Sequence, residues 1–147
     1  MVRRTSSRQY HWSIVKSPGK QEVKSFEDLE VWKACRTLRR KIFEITRDFP
    51  AEEKYGLARQ MRDAAISSTA NIAEGYGRFH YQENIQFCRQ SRGSLYEILD
   101  HLTTAVDQAY ISQEHFDDLK TQVMTSVRLL NGYLRMLQKT KLGTLPR

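Results

Sequence analysis

Apolar residues recur along this chain at alternating intervals of four and three, a spacing that lines them up on one side of an α-helix. Three segments show this spacing along their whole length, with Arg92 and Ser126 as the polar members. The stripes are Val31, Cys35, Leu38, Ile42, Ile45 and Phe49; Tyr81, Ile85, Cys88, Arg92, Leu95, Leu99, Leu102, Val106 and Ala109; and Phe116, Leu119, Val123, Ser126, Leu130, Tyr133 and Leu137. No stretch alternates with the period of two that marks a strand, so an all-α protein is predicted.

Local signals separate the helical segments. Ser25 and Asp28 have the spacing of a capping box before the first segment, and Pro50 follows it. A second segment, rich in alanine and serine, ends at Gly75 and Gly77. We predict helices at about 26–49, 52–74, 81–110 and 113–139. Because the connections are short, antiparallel neighbours are favoured, and the predicted fold is an antiparallel up-down four-helix bundle.

The net charge of +7 is concentrated at the ends of the chain. Residues 1–24 carry +5 and residues 120–147 carry +6, whereas residues 25–119 carry −4. We therefore divide the chain into an irregular basic arm, a bundle and a basic tail, at 1–24, 25–139 and 140–147. A basic surface favours a polyanionic partner, most simply nucleic acid, and the alternative is that the charge serves solubility.

The composition also bears on location. Two cysteines are too few for a disulfide scaffold, and the sequence contains no apolar run of membrane-spanning length and no signal peptide. A cytoplasmic protein that does not enter a membrane is expected.

Basic residues form stripes opposite the apolar stripes of the first and fourth segments, where they would face outward. The predicted nucleic-acid contacts, taken with the arm, are Arg3, Arg4, Arg8, Lys33, Arg36, Arg40, Arg47, Arg128, Arg135 and Lys139. Such a surface would follow the phosphates of RNA or DNA without sequence specificity and with strong salt dependence. An ordinary solvated helix face is the alternative.

Three apolar residues of the first segment, Leu29, Trp32 and Phe43, lie well away from its stripe on a helical wheel. Either another helix of the same bundle covers them, or they face a second subunit. We predict the subunit interface. Arg36 lies at the edge of this group, so it is a candidate for the interface as well as for phosphate.

Arg92 falls on an apolar stripe, and a guanidinium in that position needs a polar partner because an unpaired buried charge is costly. We predict a structural polar network in which Glu74 pairs with Arg92, with Glu97 as the second choice. Asn71 would hydrogen-bond in the same network, and Gly93 and Ser94 would admit a neighbouring backbone.

Evidence for catalysis is weak. The four histidines share no metal-ligand spacing, neither cysteine has a nearby Cys or His partner, and dinucleotide and Walker motifs are missing. We expect no enzyme, no cofactor and no metal, and we interpret Cys35 and Cys88 as small buried apolar residues.

Several strings resemble a bacterial four-helix-bundle family, the 23S rRNA intervening-sequence proteins. The resemblance is carried by Phe26-Glu27-Asp28-Leu29-Glu30-Val31-Trp32-Lys33, Phe49-Pro50, Glu53, Tyr55-Gly56-Leu57, Gln60, Arg62, Asn71-Ile72-Ala73-Glu74-Gly75, Gly77-Arg78 and Arg92-Gly93-Ser94. It covers about residues 25–138. The family often begins its third helix with serine or threonine, where this chain has Phe79-His80-Tyr81.

The resemblance implies a homo-oligomer, typically a pentameric ring. It also implies kinship in fold with the accessory proteins of diversity-generating retroelements, which bind nucleic acid and a reverse transcriptase. The predicted function is a non-enzymatic, homo-oligomeric nucleic-acid-binding adaptor or scaffold. The alternative is a protein–protein interaction module, such as an accessory subunit that docks a reverse transcriptase.

Overall fold

A computed structural model describes residues 22–141 of the chain. The helices are α1 (Glu30–Thr46), α2 (Leu57–Gly77), α3 (Tyr81–Asp107) and α4 (Gln113–Lys141), and single 3-10 turns lie at Phe26–Asp28 and Ala51–Glu53. Residues 22–141 contain no strand. The predicted all-α class is confirmed. Most of the predicted arm, and most of the tail, lie outside the described residues.

Cross-helix contacts define the topology. The Gln122 side chain donates to the Ala34 carbonyl at 3.3 Å, and Lys41 lies 3.2 Å from the Asp118 carboxylate, so α1 and α4 run antiparallel. Each helix packs against its sequence neighbours, and α4 also packs against α1. The described diagonal pairs, α1 with α3 and α2 with α4, have no Cα atoms within 8 Å of each other. The predicted up-down bundle is confirmed, and α1 begins at the end of the bundle where α4 finishes.

The helix ends differ from the predictions in ways that local backbone explains. The Ser25–Asp28 capping box forms, but it caps the first 3-10 turn, and Leu29 is extended, so α1 starts at Glu30. Gly56 has a non-helical ψ of −115°, which separates the second 3-10 turn from α2. Ala109, in a left-handed conformation with φ of 57°, ends α3 before residue 110.

The core lies along the bundle axis. The predicted stripes of α1 and α4 are buried or half-buried throughout. The predicted stripe of α3 is partly wrong, because Ala109 is exposed and Arg92 only half-buried. Its fully buried positions also include Asn84, Ser91, Ile98 and Ala105. These four recur every seven residues, so the inner face of α3 is rotated slightly away from the predicted one.

Candidate nucleic-acid interface

The predicted basic residues of α1 are all exposed. Lys33 lies 3.6 Å from Glu30, and the Arg36 guanidinium lies 5.8 Å from the centre of the Trp32 ring. Arg40 and Arg47 form no ion pair with any described residue. Two arginines of this stripe are thus available to a phosphate without first breaking an ion pair with the rest of the bundle.

Arg128, Arg135 and Lys139 of α4 are exposed as well. Neither arginine forms an ion pair within residues 22–141. Since α1 and α4 are packed side by side, the two stripes lie on the outer faces of adjacent helices. We call Arg40, Arg47, Arg128 and Arg135 the four outer arginines. The remaining predicted contacts, Arg3, Arg4 and Arg8, lie outside the described residues.

The group predicted as a subunit interface has partners within the chain. Leu29 is only 7% exposed and belongs to the chain's own core, so it has little surface left for a second subunit. The Trp32 ring packs edge-on against Phe26, with 5.2 Å between ring centres. The Arg62 guanidinium of α2 lies 5.3 Å from the centre of the Phe43 ring. For Leu29 the prediction is corrected: the bundle itself covers it.

The predicted pairing of Arg92 with Glu74 is wrong. Arg92 Nη1 donates to the Asn131 Oδ1 of α4 at 2.9 Å, and Glu74 pairs with Arg78 at 3.0 Å on the surface of α2. The reason is the rotation of α3, which places Arg92 at the edge of the core and towards α4. The second choice, Glu97, lies instead 4.0 Å from His101.

The other members of the predicted network bridge α2 and α3 differently. Asn71 Nδ2 donates to the carbonyl and hydroxyl oxygens of Ser67, and the Ser94 hydroxyl donates to the same Ser67 hydroxyl at 3.0 Å. A Cβ added at Gly93 would meet no atom within 4 Å, so no described backbone approaches this glycine. The network joins two helices, but it does not include Arg92.

A buried polar cluster at α2, α3 and α4 was missed by the sequence reasoning. Asn84 Nδ2 donates to the Tyr133 hydroxyl at 3.1 Å, and Asn84 Oδ1 lies 3.5 Å from Cys88 Sγ. Burial raises the pKa of the Tyr133 hydroxyl. Gly75 lies against Asn84, because a Cβ added there would come within 2.7 Å of Asn84 Oδ1. Asn84 and Ser91 are seven residues apart in the sequence, and this interval was the pattern that could have indicated that both are buried.

The cysteines occupy the core as predicted. Cys35 and Cys88 are unpaired and fully buried. Burial raises the pKa of each thiol to about 12, far from the range of a reactive thiolate. No cluster of three His, Cys, Asp or Glu side chains suited to a metal occurs among residues 22–141.

An open groove between α1 and α2 combines apolar and basic side chains. It is lined by Arg39, Arg40, Phe43, Glu44, Arg47 and Ile66. Ile66 is 46% exposed, and Arg39 donates to the Thr69 hydroxyl of α2 at 2.8 Å. Two of the four outer arginines therefore flank an apolar patch. None of the helices in the described part of the chain combines the length and apolar character of a membrane span.

Comparison with known proteins agrees with this architecture. A search of curated proteins found no match to the chain. The family described as 23S rRNA-intervening sequence protein matches residues 27–132, a range that runs from the first 3-10 turn into α4 and includes most of the bundle. The chain belongs to the 23S rRNA-intervening sequence protein family.

Proposed function

We propose that this chain is a non-enzymatic, homo-oligomeric adaptor or scaffold that binds RNA or DNA in the cytoplasm through phosphate contacts. The observation that carries the proposal is the exposure of the four outer arginines, none of which is ion-paired within residues 22–141. A guanidinium on a solvent-facing helix can contact phosphate oxygens through two parallel hydrogen bonds. The family's name, which refers to 23S rRNA, supports RNA as the natural polyanion.

The positions of these arginines suit an extended ligand. Arg40 lies on α1 and Arg47 follows its last residue, seven positions on, and Arg128 and Arg135 are seven residues apart on α4. Each pair therefore spans about 10 Å along its helix axis. Because α1 and α4 are antiparallel, Arg47 and Arg135 lie towards opposite ends of the bundle. Contacts distributed in this way fit a strand that runs along the bundle, and they would supply affinity without sequence specificity.

A protein-interaction module is the second candidate function. The groove between α1 and α2 supports it, because Phe43 and Ile66 present apolar surface at its centre. That surface suits a protein partner, such as a second copy of the chain or a reverse transcriptase, better than it suits phosphate. On this reading the flanking arginines would pair with carboxylates of the partner.

The test is binding to a structured RNA and to a single-stranded DNA across a salt series. Each phosphate contact to a single strand contributes about 0.7 to the slope of log affinity against log salt. We expect the double variant Arg40→Gln/Arg47→Gln to reduce the slope by about 1.4, and Arg128→Gln/Arg135→Gln to reduce it similarly.

A matched control removes two positive charges elsewhere. Lys54 and Arg59 are exposed near the start of α2, where Arg59 already lies 3.8 Å from Asp63. The variant Lys54→Gln/Arg59→Gln should keep the wild-type slope. Equal losses in the control and in both test variants would show that total charge decides binding, and would contradict a defined phosphate surface. Absence of binding at low salt would leave the protein-interaction module.

A further inference from the structure

The turn between α2 and α3 presents a large apolar ring to solvent. Phe79 is 57% exposed, and its backbone is left-handed, with φ of 52°. Residues with side chains adopt this conformation rarely, and glycine or asparagine usually occupies it at the end of a helix. Neither the backbone nor the burial of this position favours phenylalanine. Strained backbone conformations of this kind concentrate at functional sites, where the side chain is kept for binding or catalysis and not for stability.

An aromatic ring and a cation lie next to Phe79, and together they suit a ligand that is both aromatic and negatively charged. The Phe79 ring packs against the Tyr76 ring, with 6.2 Å between ring centres, and more than half of the surface of Phe79 stays exposed. Arg78 precedes it, pairs with Glu74 at 3.0 Å, and lies 5.4 Å from the centre of the Phe87 ring. An ion pair on an exposed helix face contributes little, so Arg78 can exchange Glu74 for a phosphate at small cost.

The location of the turn fits a polyanion. The turn lies at the end of the bundle where α1 begins and α4 finishes, because the 3-10 turn before α1 packs on α2 and Asn84 bonds Tyr133. The last turns of α4, with Arg135 and Lys139, are at this end. Exposed aromatic rings set among basic side chains are typical of proteins that bind single-stranded nucleic acid.

A comparable aromatic residue lies at the opposite end of the bundle. Tyr55 is 77% exposed, and the Lys54 ammonium lies 5.4 Å from the centre of its ring. Two carboxylates, Glu52 and Glu53, come just before it, and its backbone is not left-handed. These two carboxylates repel phosphate in the immediate neighbourhood of Tyr55. Tyr55 therefore serves as a matched control.

We propose that Phe79 is a stacking platform for an unpaired base of single-stranded nucleic acid, with Arg78 contacting the adjacent phosphate. The inference rests on the proposed function and adds to it the form of nucleic acid that is bound. Stacking requires an open base face, which a base pair inside a duplex does not offer. The chain thus prefers single strands over duplexes of equal length.

The experiment measures the binding of a labelled oligouridylate and of a duplex RNA of the same length by fluorescence anisotropy. Loss of one base stacked on an aromatic ring lowers affinity roughly 5- to 150-fold. We expect Phe79→Ala and Phe79→Gly to lose that much on the single strand and little on the duplex, with an unchanged salt slope. Phe79→Trp should keep wild-type affinity, and so should Tyr55→Ala.

Phe79→Gly separates binding from folding. Glycine adopts a left-handed backbone without steric cost, so the urea midpoint of this variant should equal or exceed that of the wild type. Wild-type binding of the oligouridylate by a folded Phe79→Gly variant would overturn the inference alone. An equal loss in Tyr55→Ala would also overturn it. Failure of the wild-type chain to bind either RNA would overturn the proposed function, and this inference with it.

Discussion

Substitution of Gly75 by alanine tests the account of how α2 packs against α3. Gly75 is buried inside α2, two residues before its end. A Cβ added there would come within 2.7 Å of Asn84 Oδ1 and 2.9 Å of Phe87 Cβ. Neither atom is free to move away: Phe87 Cβ is attached directly to the backbone of α3, and Asn84 is fully buried and hydrogen-bonded to Tyr133.

The expected magnitude combines two opposing effects. Alanine is favoured over glycine by about 1 kcal/mol within a helix. Overpacking a closely packed contact costs about 1–3 kcal/mol, and weakening the Asn84–Tyr133 hydrogen bond costs about 1 kcal/mol more. We expect Gly75→Ala to lower the free energy of unfolding by about 1–3 kcal/mol, and the melting temperature by roughly 3–10 °C.

Gly93→Ala is the matched control, because it makes the same chemical change in a helix where a Cβ would meet nothing within 4 Å. It should raise the free energy of unfolding by up to about 1 kcal/mol. Urea titrations followed by circular dichroism, with an unchanged m value, measure both effects. If Gly75→Ala proved as stable as Gly93→Ala, the close approach of α2 and α3 would be refuted.

Three further predictions concern the buried polar groups. Burial raises the pKa of the Cys35 and Cys88 thiols from 9.0 to about 12. A disulfide reagent at mildly alkaline pH should therefore label these cysteines only when the chain unfolds. Rapid labelling of the native chain would contradict their burial. The sign of the pH dependence follows from these raised pKa values: above about pH 9 the unfolded chain releases thiol protons that the folded chain retains. The contribution of the thiols to the free energy of unfolding should therefore be constant below that pH and then fall by up to about 1.4 kcal/mol per pH unit for each thiol, which urea titrations at alkaline pH measure. Tyr133→Phe removes the hydroxyl that accepts the hydrogen bond from the buried Asn84 amide. It should lower the free energy of unfolding by about 1–3 kcal/mol, measured by urea titration. An unchanged urea midpoint would mean that the amide finds another partner.

The sequence was sufficient to predict the four helices and their order because apolar spacing reports directly which side of a helix is buried. It was less informative about α3, where polar and small residues occupy core positions. A stripe drawn through the large apolar residues included Arg92 and left out Asn84 and Ser91. The core accepts these polar side chains because Asn84 bonds Tyr133 and Ser91 bonds the Ser68 carbonyl, contacts that depend on tertiary structure.

The candidate site, like the fold, was predictable from the sequence only in part. Exposure of the outer arginines follows from helix periodicity alone, and the structure places all of the described ones on the surface. The partner of Arg92 could not be predicted, because a rotation of α3 by a fraction of a turn decides whether its side chain points to α2 or to α4. Phe79 was noticed only as a departure from the family pattern, since its left-handed backbone and exposure are properties of the folded chain.

The hydrogen bond between Asn84 and Tyr133 has a consequence for the alignment of α3 with α4. Apolar stripes that repeat every seven residues fit almost as well after one helix slides along its neighbour by two turns. Sliding would separate these two buried groups and break the hydrogen bond between them, at a cost of about 1–3 kcal/mol. A hydrogen-bonded polar pair within the apolar stripes therefore selects one register of α3 against α4, because every other register breaks the pair. This selection holds even where the net contribution of the pair to stability is small.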